Sequence, residues 1–465
     1  MFGVRVPHDH EEAMRLDKEN GNTFWADAEK LELGQLIDYD TFKDMGFKAP
    51  IPPGYKKIRC RMIYAVKHDG RRKCRLVAGG HLTDVPVDSV YSGVVSLRGI
   101  RLIVFLAELN GLELWATDVG NAYLEAETKE KVCIIAGPEF GSLEGHLLII
   151  HKALYGLRSS GLRWHERFAD CLRDMGFQPS KAEDDIWIRE NNGVYEYIAV
   201  YVDDLAIAAQ DPQSIIDCLM NKHNFKLKGS GPISFHLGCD FFRNDEGILC
   251  FAPRKYIKKM ADNYTRMFGS APKENVLSPL EKGDHPEMDT SELLDPDGIK
   301  KYQSLIGAMQ WAVSLGRMDI TTAVMTLSGF RVAPRTGHLD RAKRVVCYLC
   351  KFSDAVIRVM TGEPDYSEYP DQQYDWMHSV YGQVKEVMPA NAPRPLGKPV
   401  VITTYVDANL YRDMLTGRSV TGILQLLNQF PIDWYSKKQA TVETATYGSE
   451  FVAACIATDK TIDLG

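Results

Sequence analysis

The feature that most restricts how this chain can fold is Tyr201-Val202-Asp203-Asp204, set between two apolar runs, Tyr197 to Val200 and Leu205 to Ala209. Short apolar runs around a polar pair read as strand, turn and strand. Adjacent carboxylates between buried strands repel each other and resist desolvation, so they need a counter-charge. A divalent cation supplies one, and Mg²⁺ takes few protein carboxylates alongside substrate phosphates. The plain alternative is an exposed hairpin turn, for which Asn-Gly or Asp-Gly would be better suited. Upstream, Asp118 ends another strand-like run, Trp115 to Asp118, which a mixed sheet can bring beside Asp203. Carboxylates from separate strands are what a two-metal nucleotidyl transfer requires.

The 465 residues, 45% hydrophobic and 25% charged, suffice for several cores and, by length, about three domains. Met1 to Met14 holds several charges and no apolar core of a signal peptide, and nowhere do eighteen apolar residues run together. The expectation is neither secretion nor membrane insertion. Ten scattered cysteines suit a reducing compartment. Cys347 and Cys350 form a CxxC with no second pair nearby, and read as two cysteines on a helix rather than as a zinc site. A net charge of −7 speaks weakly against a nucleic-acid partner, but the charge is uneven. Lys56 to Arg75 carries nine Lys/Arg against Asp69 alone, and Arg254 to Lys273 and Arg331 to Lys351 carry six each against one Asp. Such blocks can line a phosphate-binding groove on an acidic protein, or be solvated faces.

Along the chain, residues 7 to 46 read as largely helical, with Ala13, Leu16, Phe24, Ala28, Leu31 and Leu36 as the buried stripe. Ile58 to Val77 reads as a hairpin turning at His68-Asp69-Gly70, followed by a helix over Leu97 to Leu109 and another from about Gly161 to Met175. Glu281 to Asp297, with seven acids against Lys282, reads as an exposed linker and domain boundary. Ile299 to Lys351 reads as two or three helices, and Glu363 to Glu386 as a second acidic insertion. From Pro399 onward a strand delivers Asp407, two more strands follow, and a helix begins at Thr446.

These segments resemble the reverse transcriptases of copia-type long-terminal-repeat retrotransposons. The likeness runs through the lead-in around Glu11 to Phe42, AVKHDGRRKCRLVAGG (65–80), VYSGVVSLRGIRLIVFLAE (90–108), TDVGNAYLEA (117–126), ALYGLRSSGLRWHERF (153–168), YVDDLAIAA and HLGCDF (236–241). It continues through YQSLIGAMQWAVSLGRMDITTAV (302–324) to RAKRVVCYL (341–349), about three-quarters of the chain. The resemblance implies an α+β right-hand polymerase: an N-terminal lead-in (1–49), fingers and palm (50–245), a thumb-like region (246–280), linker and connection (281–395), and a partial ribonuclease H-like end (396–465).

It further implies that Asp118 and Asp203 are direct ligands of Mg²⁺ or Mn²⁺, with Asp204 in support. Lys67 and Arg75 would contact the incoming triphosphate, a role in which cations balance charge moving onto pyrophosphate, and Lys73 could replace Arg75. Tyr123 would be the steric gate against a ribose 2′-hydroxyl; its plain alternative is a core aromatic. Ser159-Ser160-Gly161 departs from the family's Gln-Ala-Pro, which puts side-chain contacts to the sugar in doubt, and His236 to Asp240 matches the primer grip. Asp407 and Glu450 would be two of the four ribonuclease H acids, with neither Asp459 nor Asp463 accepted as a third. The implied partners are a primed RNA or DNA template and dNTPs, and the implied setting is the cytoplasm, within retroelement particles, with nuclear access possible. A catalytically decayed copy that still binds nucleic acid, or another palm-fold nucleotidyl transferase, is the alternative.

Overall fold

The computed structural model describes residues 4–67, 70–83, 90, 92–368, 378, 380 and 392–464. Helix α1 (His10–Asn20) is capped by Asp9, whose carboxylate accepts the Glu12 N–H, and Gly21 at φ +62 closes it. After α2 (Phe24–Asp38) the chain turns at Asp40 (φ +50) into a strand, β1 (Phe42–Phe47). The expectation of helix to residue 46 is therefore corrected: the last segment pairs with a later strand. The stripe is corrected too. Ala13, Leu16, Ala28 and Leu36 are buried, but Phe24 and Leu31 are 54% and 65% exposed, because Trp25 and Glu29 occupy the inward face of α2.

Next come β2 (Lys56–Lys57) and the hairpin β3 (Cys60–Val66) and β4 (Arg72–Ala78), paired with Ile63 opposite Arg75. The expected hairpin is present. His68 and Asp69 of its turn lie outside the described residues, but Lys67 N–H donates to Arg71 O at 2.8 Å at its base. Alternation puts Cys74, Leu76 and Ala78 into the core shared with α1 and α2. The opposite face carries the charges.

Helix α3 (Leu97–Asn110), capped by Ser96, leads through Gly111 (φ +69) to β5 (Glu113–Val119). Strands β6 (Val132–Ile135) and β7 (His146–Ile150) complete a four-stranded sheet in the order β1-β7-β6-β2. Then follow α4 (Ser160–Asp174), β8 (Gln178–Pro179), β9 (Ile186–Asn191), β10 (Val194–Tyr201), β11 (Asp204–Ala209), α5 (Pro212–Asp217) and β12 (Leu227–Pro232). These form the central sheet, β12-β5-β11-β10-β9-β8. Ala206 and Ala208 pack towards α3, while Leu205, Ile207 and Ala209 pack towards α4 and α5. Burial on both faces explains why β11 is apolar throughout rather than alternating.

A small sheet, β13 (Phe235–His236), β14 (Cys239–Arg243) and β15 (Leu249–Ala252), precedes α6 (Arg254–Phe268), α7 (Pro296–Ser314), α8 (Thr321–Ser328) and α9 (Thr336–Lys351). Strand β16 (Ile357–Arg358) returns to pair with β15. The four helices share one core around Tyr302, Met309 and Val345. The acidic stretch before α7 is largely exposed, as expected, but it is anchored to the helices. Pro286 is buried, and Asp284 and Asp289 bind Arg341 of α9 at 2.8 and 2.5 Å. Arg344 reaches Glu281 at 3.1 Å, so part of the basic block 331–351 is matched internally.

Last come β17 (Ile402–Asn409), β18 (Val420–Leu427), β19 (Phe430–Lys438) and α10 (Thr446–Leu464). Phe430 stacks on Phe105 of α3 at 5.7 Å, and Arg101 Nε donates to Ile432 O at 2.7 Å. Of the second acidic insertion, residues 369–377, 379 and 381–386 lie outside the described residues. Among the described residues no helix is long and apolar enough to cross a membrane.

Candidate active site

In the β10–β11 hairpin Tyr201 pairs with Asp204, leaving Val202 and Asp203 as the two turn residues. Asp204 stands opposite Asp118 in the β5–β11 register, and Val119 N–H donates to Asp203 O at 2.8 Å. The three predicted carboxylates thus share one end of the central sheet. Their proximity has an electrostatic signature: burial, then Asp203, raises the Asp118 pKa, and burial with Asp203 and Asp118 pushes Asp204 up to about 6. Among the described residues no group of three or more His, Cys, Asp or Glu is gathered closely enough to hold a metal ion by itself. An all-oxygen donor set of crowded carboxylates nevertheless fits a hard divalent cation that shares its coordination with phosphates.

Cations converge on the same place. Lys228 of β12 pairs in register with Asp118, and Lys228, Lys73 and Lys67 all counteract the rise in its pKa. A cleft of about 200 Å³ is lined by Lys67, Lys73 and Arg75 of the hairpin, Glu32 and Gln35 of α2, and Lys228. Arg75 lies 4.3 Å from the Tyr155 ring, which packs 5.0 Å from Tyr123. Lys67 acts on Asp118, and burial, then Asp203, raises the pKa of Tyr123 while Arg75 lowers it, so the three residues lie within electrostatic reach of the carboxylate end of the sheet.

Residues 48–274 match a family model described as reverse transcriptase (RNA-dependent DNA polymerase). This segment of the chain is similar to reverse transcriptase domains. The chain is similar to the retrovirus-related Pol polyprotein from transposon RE1 of Arabidopsis thaliana, 26% identical over 438 residues, covering 92% of this chain and 27% of that protein. The corresponding polyprotein from transposon TNT 1-94 of Nicotiana tabacum is 25% identical over 427 residues, covering 87% and 29%. The resemblance read from the sequence is borne out, and the chain spans under a third of the length of these relatives. A solved structure of a foamy viral protease-reverse transcriptase with double-stranded DNA aligns with 99% of this chain and 61% of that one. The two are 10% identical, with a TM-score of 0.26.

The matched segment leans on residues that precede it. Tyr39 lies 2.9 Å from Gly120 O and 3.0 Å from Glu125 Oε1 through its hydroxyl, and Asn121 Nδ2 donates to Gln35 Oε1 at 3.2 Å. Glu32 accepts the Leu76 N–H at 3.1 Å, and burial raises its pKa against the pull of Arg75 and Lys73. Sequence reasoning missed these because a polar residue facing a cleft and one facing solvent look alike in a helix. Lys228 was missed as well; its signal was a lysine on a strand that could flank β5.

Ser159 and Ser160 point inward: Ser159 Oγ donates to Glu130 Oε1 at 2.6 Å and Ser160 Oγ to Leu154 O at 2.7 Å. The His236–Asp240 segment is a tight hairpin, with Leu237 at φ +44 and Gly238 at φ +92. Burial lowers the His236 pKa to about 4. Cys347 is buried and Cys350 half-buried on α9. At the C-terminal end, Asp407 is exposed on β17 and Glu450 half-buried on α10. Asp459 is exposed, and Asp463 pairs with Arg98 at 2.7 Å.

One ion pair beside the site gives a pH dependence. His165 Nε2 lies 2.7 Å from Asp185 Oδ1, and this hydrogen bond, opposed by burial, raises the imidazole pKa. A folded pKa above the unfolded one contributes stability that is complete below the unfolded value and lost as pH rises through the folded value. The stability gap between the parent and Asp185→Asn should therefore be widest below the ordinary imidazole range, about 6.5, and shrink as the pH rises above it. Urea unfolding at fixed salt measures it; a gap constant with pH would leave the pair without this charge contribution.

Proposed function

We propose that the chain is the RNA-directed DNA polymerase part of a copia-type retrotransposon polyprotein. The observation that carries this reading is the coincidence, at one end of the central sheet, of Asp118, Asp203 and Asp204 with a cleft lined by Lys67, Lys73 and Arg75. In the reaction the primer 3′-hydroxyl oxygen bonds to the α-phosphorus of a dNTP, the α–β phosphoanhydride bond breaks, pyrophosphate leaves and the hydroxyl proton is released. Bound Mg²⁺ or Mn²⁺ would supply activation of the hydroxyl and neutralisation of the leaving group.

Asp118 and Asp203 would hold the ions, with Asp204 setting the local charge. Lys67 and Arg75, with Lys73 between them on the hairpin, would bind the triphosphate, and the ring of Tyr155 against Arg75 would keep its guanidinium oriented. Tyr123 would meet the sugar. The inward-turned Ser159 and Ser160 suit a site in which sugar selection relies on Tyr123 rather than on an amide from α4.

In this reading residues 50–245 are fingers and palm, 246–280 thumb-like and 281–395 connection, after a lead-in at 1–49. Residues 396–465 are a partial ribonuclease H-like region containing Asp407 and Glu450. Template and primer would be gripped mainly through phosphates, so binding weakens steeply with salt. The test is extension of a DNA primer on an RNA template with Mg²⁺, beside a DNA template. Extension on RNA is expected, and its absence with every metal tried would overturn the proposal.

A further inference from the structure

Val202 is a β-branched residue at φ +59. In that conformation its Cβ crowds the adjoining backbone, whereas glycine would adopt it freely. A strained residue at the tip of a two-residue turn persists only where its surroundings hold it. Both carbonyls of this turn are held. Trp164 Nε1–H donates to Val202 O at 2.8 Å, and Val119 N–H donates to Asp203 O at 2.8 Å. The second bond ties the turn to the strand of Asp118; the first ties it to helix α4.

Trp164 is built to give that bond a fixed direction. It is 3% exposed, stacked on Phe168 at 5.1 Å and met edge-on by Phe225 at 5.8 Å. Its neighbours in the same core include Val200 and Leu205, the residues flanking the turn. The indole has a single donor and no acceptor, so a clamped ring leaves the N–H no other use. Packing alone would be satisfied by any large ring at this position.

We propose that Trp164 is a positioning residue for the Asp203 carboxylate, its indole N–H holding the Val202 carbonyl and so keeping a strained turn in the conformation that sets Asp203 beside Asp118. The inference rests on the reading of Asp118 and Asp203 as the carboxylates of polymerisation. Trp164 itself touches neither substrate nor ion. It acts through the backbone of the turn, which is why its effect is separable from general packing.

Trp164→Phe keeps a buried ring and removes the donor. The variant is made in the parent and in Val202→Gly, where the left-handed conformation is no longer strained and needs no holding. The first readout is amide hydrogen exchange of Val119 in the metal-free protein, with Ile207 in the middle of β11 as the control. The second is kcat and KM for primer extension. Trp164→Phe is expected to speed Val119 exchange and lower kcat by about 5- to 50-fold, with Ile207 exchange and KM within about two-fold. Both effects should fall to within about two-fold in the Val202→Gly background. Equal losses in the two backgrounds, faster exchange at Ile207 as well, or unchanged exchange at Val119 would each overturn the proposal. Exchange is read without metal, nucleotide or template, so a parent chain that does not extend primers would count against the proposed function while exchange still decides the role of Trp164.

Discussion

Asp203→Asn should reduce primer extension by at least about 10³-fold while leaving primer–template affinity within a few-fold. The asymmetry follows from where the residue sits. Asp203 is at a turn tip, its carbonyl taken by Val119 N–H, and its carboxylate raises the pKa of both Asp118 and Asp204. Replacing it with an amide of the same shape removes the negative charge that a divalent ion requires and leaves the hairpin intact. The cations that would meet nucleic acid phosphates are on other elements, so ground-state binding persists while transition-state stabilisation is lost. Single-turnover extension beside a filter-binding measurement separates the two. Extension rates that match the parent would remove Asp203 from the reaction.

The second large effect is on sugar choice. Tyr123 lies on a short helical turn just after Asp118, half-buried, with its ring 5.0 Å from Tyr155, which in turn carries Arg75. A ring braced in this way cannot retreat from an added oxygen, and that rigidity is what discrimination by exclusion needs. Tyr123→Val should raise incorporation of ribonucleotides relative to deoxynucleotides by about 10- to 100-fold, with deoxynucleotide incorporation less affected. The ratio of kcat/KM for UTP against dTTP measures it. A ratio that stays put would reduce Tyr123 to a packing residue.

The parts of this molecule that were legible in its sequence are those where one physical rule decides alone. The apolar runs around Asp203-Asp204 and before Asp118 read as strands, and the helix over 97–109 follows from its apolar spacing. Local pattern failed where a distant partner decides. Phe42–Phe47 reads as a continuation of helix until β7 is there to pair with it, and Leu31 reads as core until Trp25 takes the inward face. The acidic stretch 281–297 looks like solvated linker because sequence shows its charges but not Arg341, which arrives from α9. The same blindness hid Glu32, Gln35 and Tyr39: nothing in a helical polar residue reports which cleft it will face. The carboxylates were legible because their chemistry is unusual; their supports were not, because their chemistry is ordinary.

The fastening of α3 to the C-terminal sheet has a consequence for how the protein is made. Arg101 is buried, and its guanidinium is satisfied by carbonyls of Ser314 and of Ile432, the latter 331 residues further along the chain. Phe105 waits for Phe430 over a similar separation. At about 5–20 residues per second a ribosome needs roughly 15 to 70 s between these points. Throughout that interval one face of α3 presents an unmatched cation and an open aromatic, while the other face can already cover the sheet of the carboxylates. The nascent chain should therefore pass through a long-lived, half-covered stage, vulnerable to proteases and attractive to chaperones, that ends only when β19 emerges. Substitutions in β19, remote from the chemistry, would then show themselves first as lower yield of soluble enzyme rather than as slower turnover.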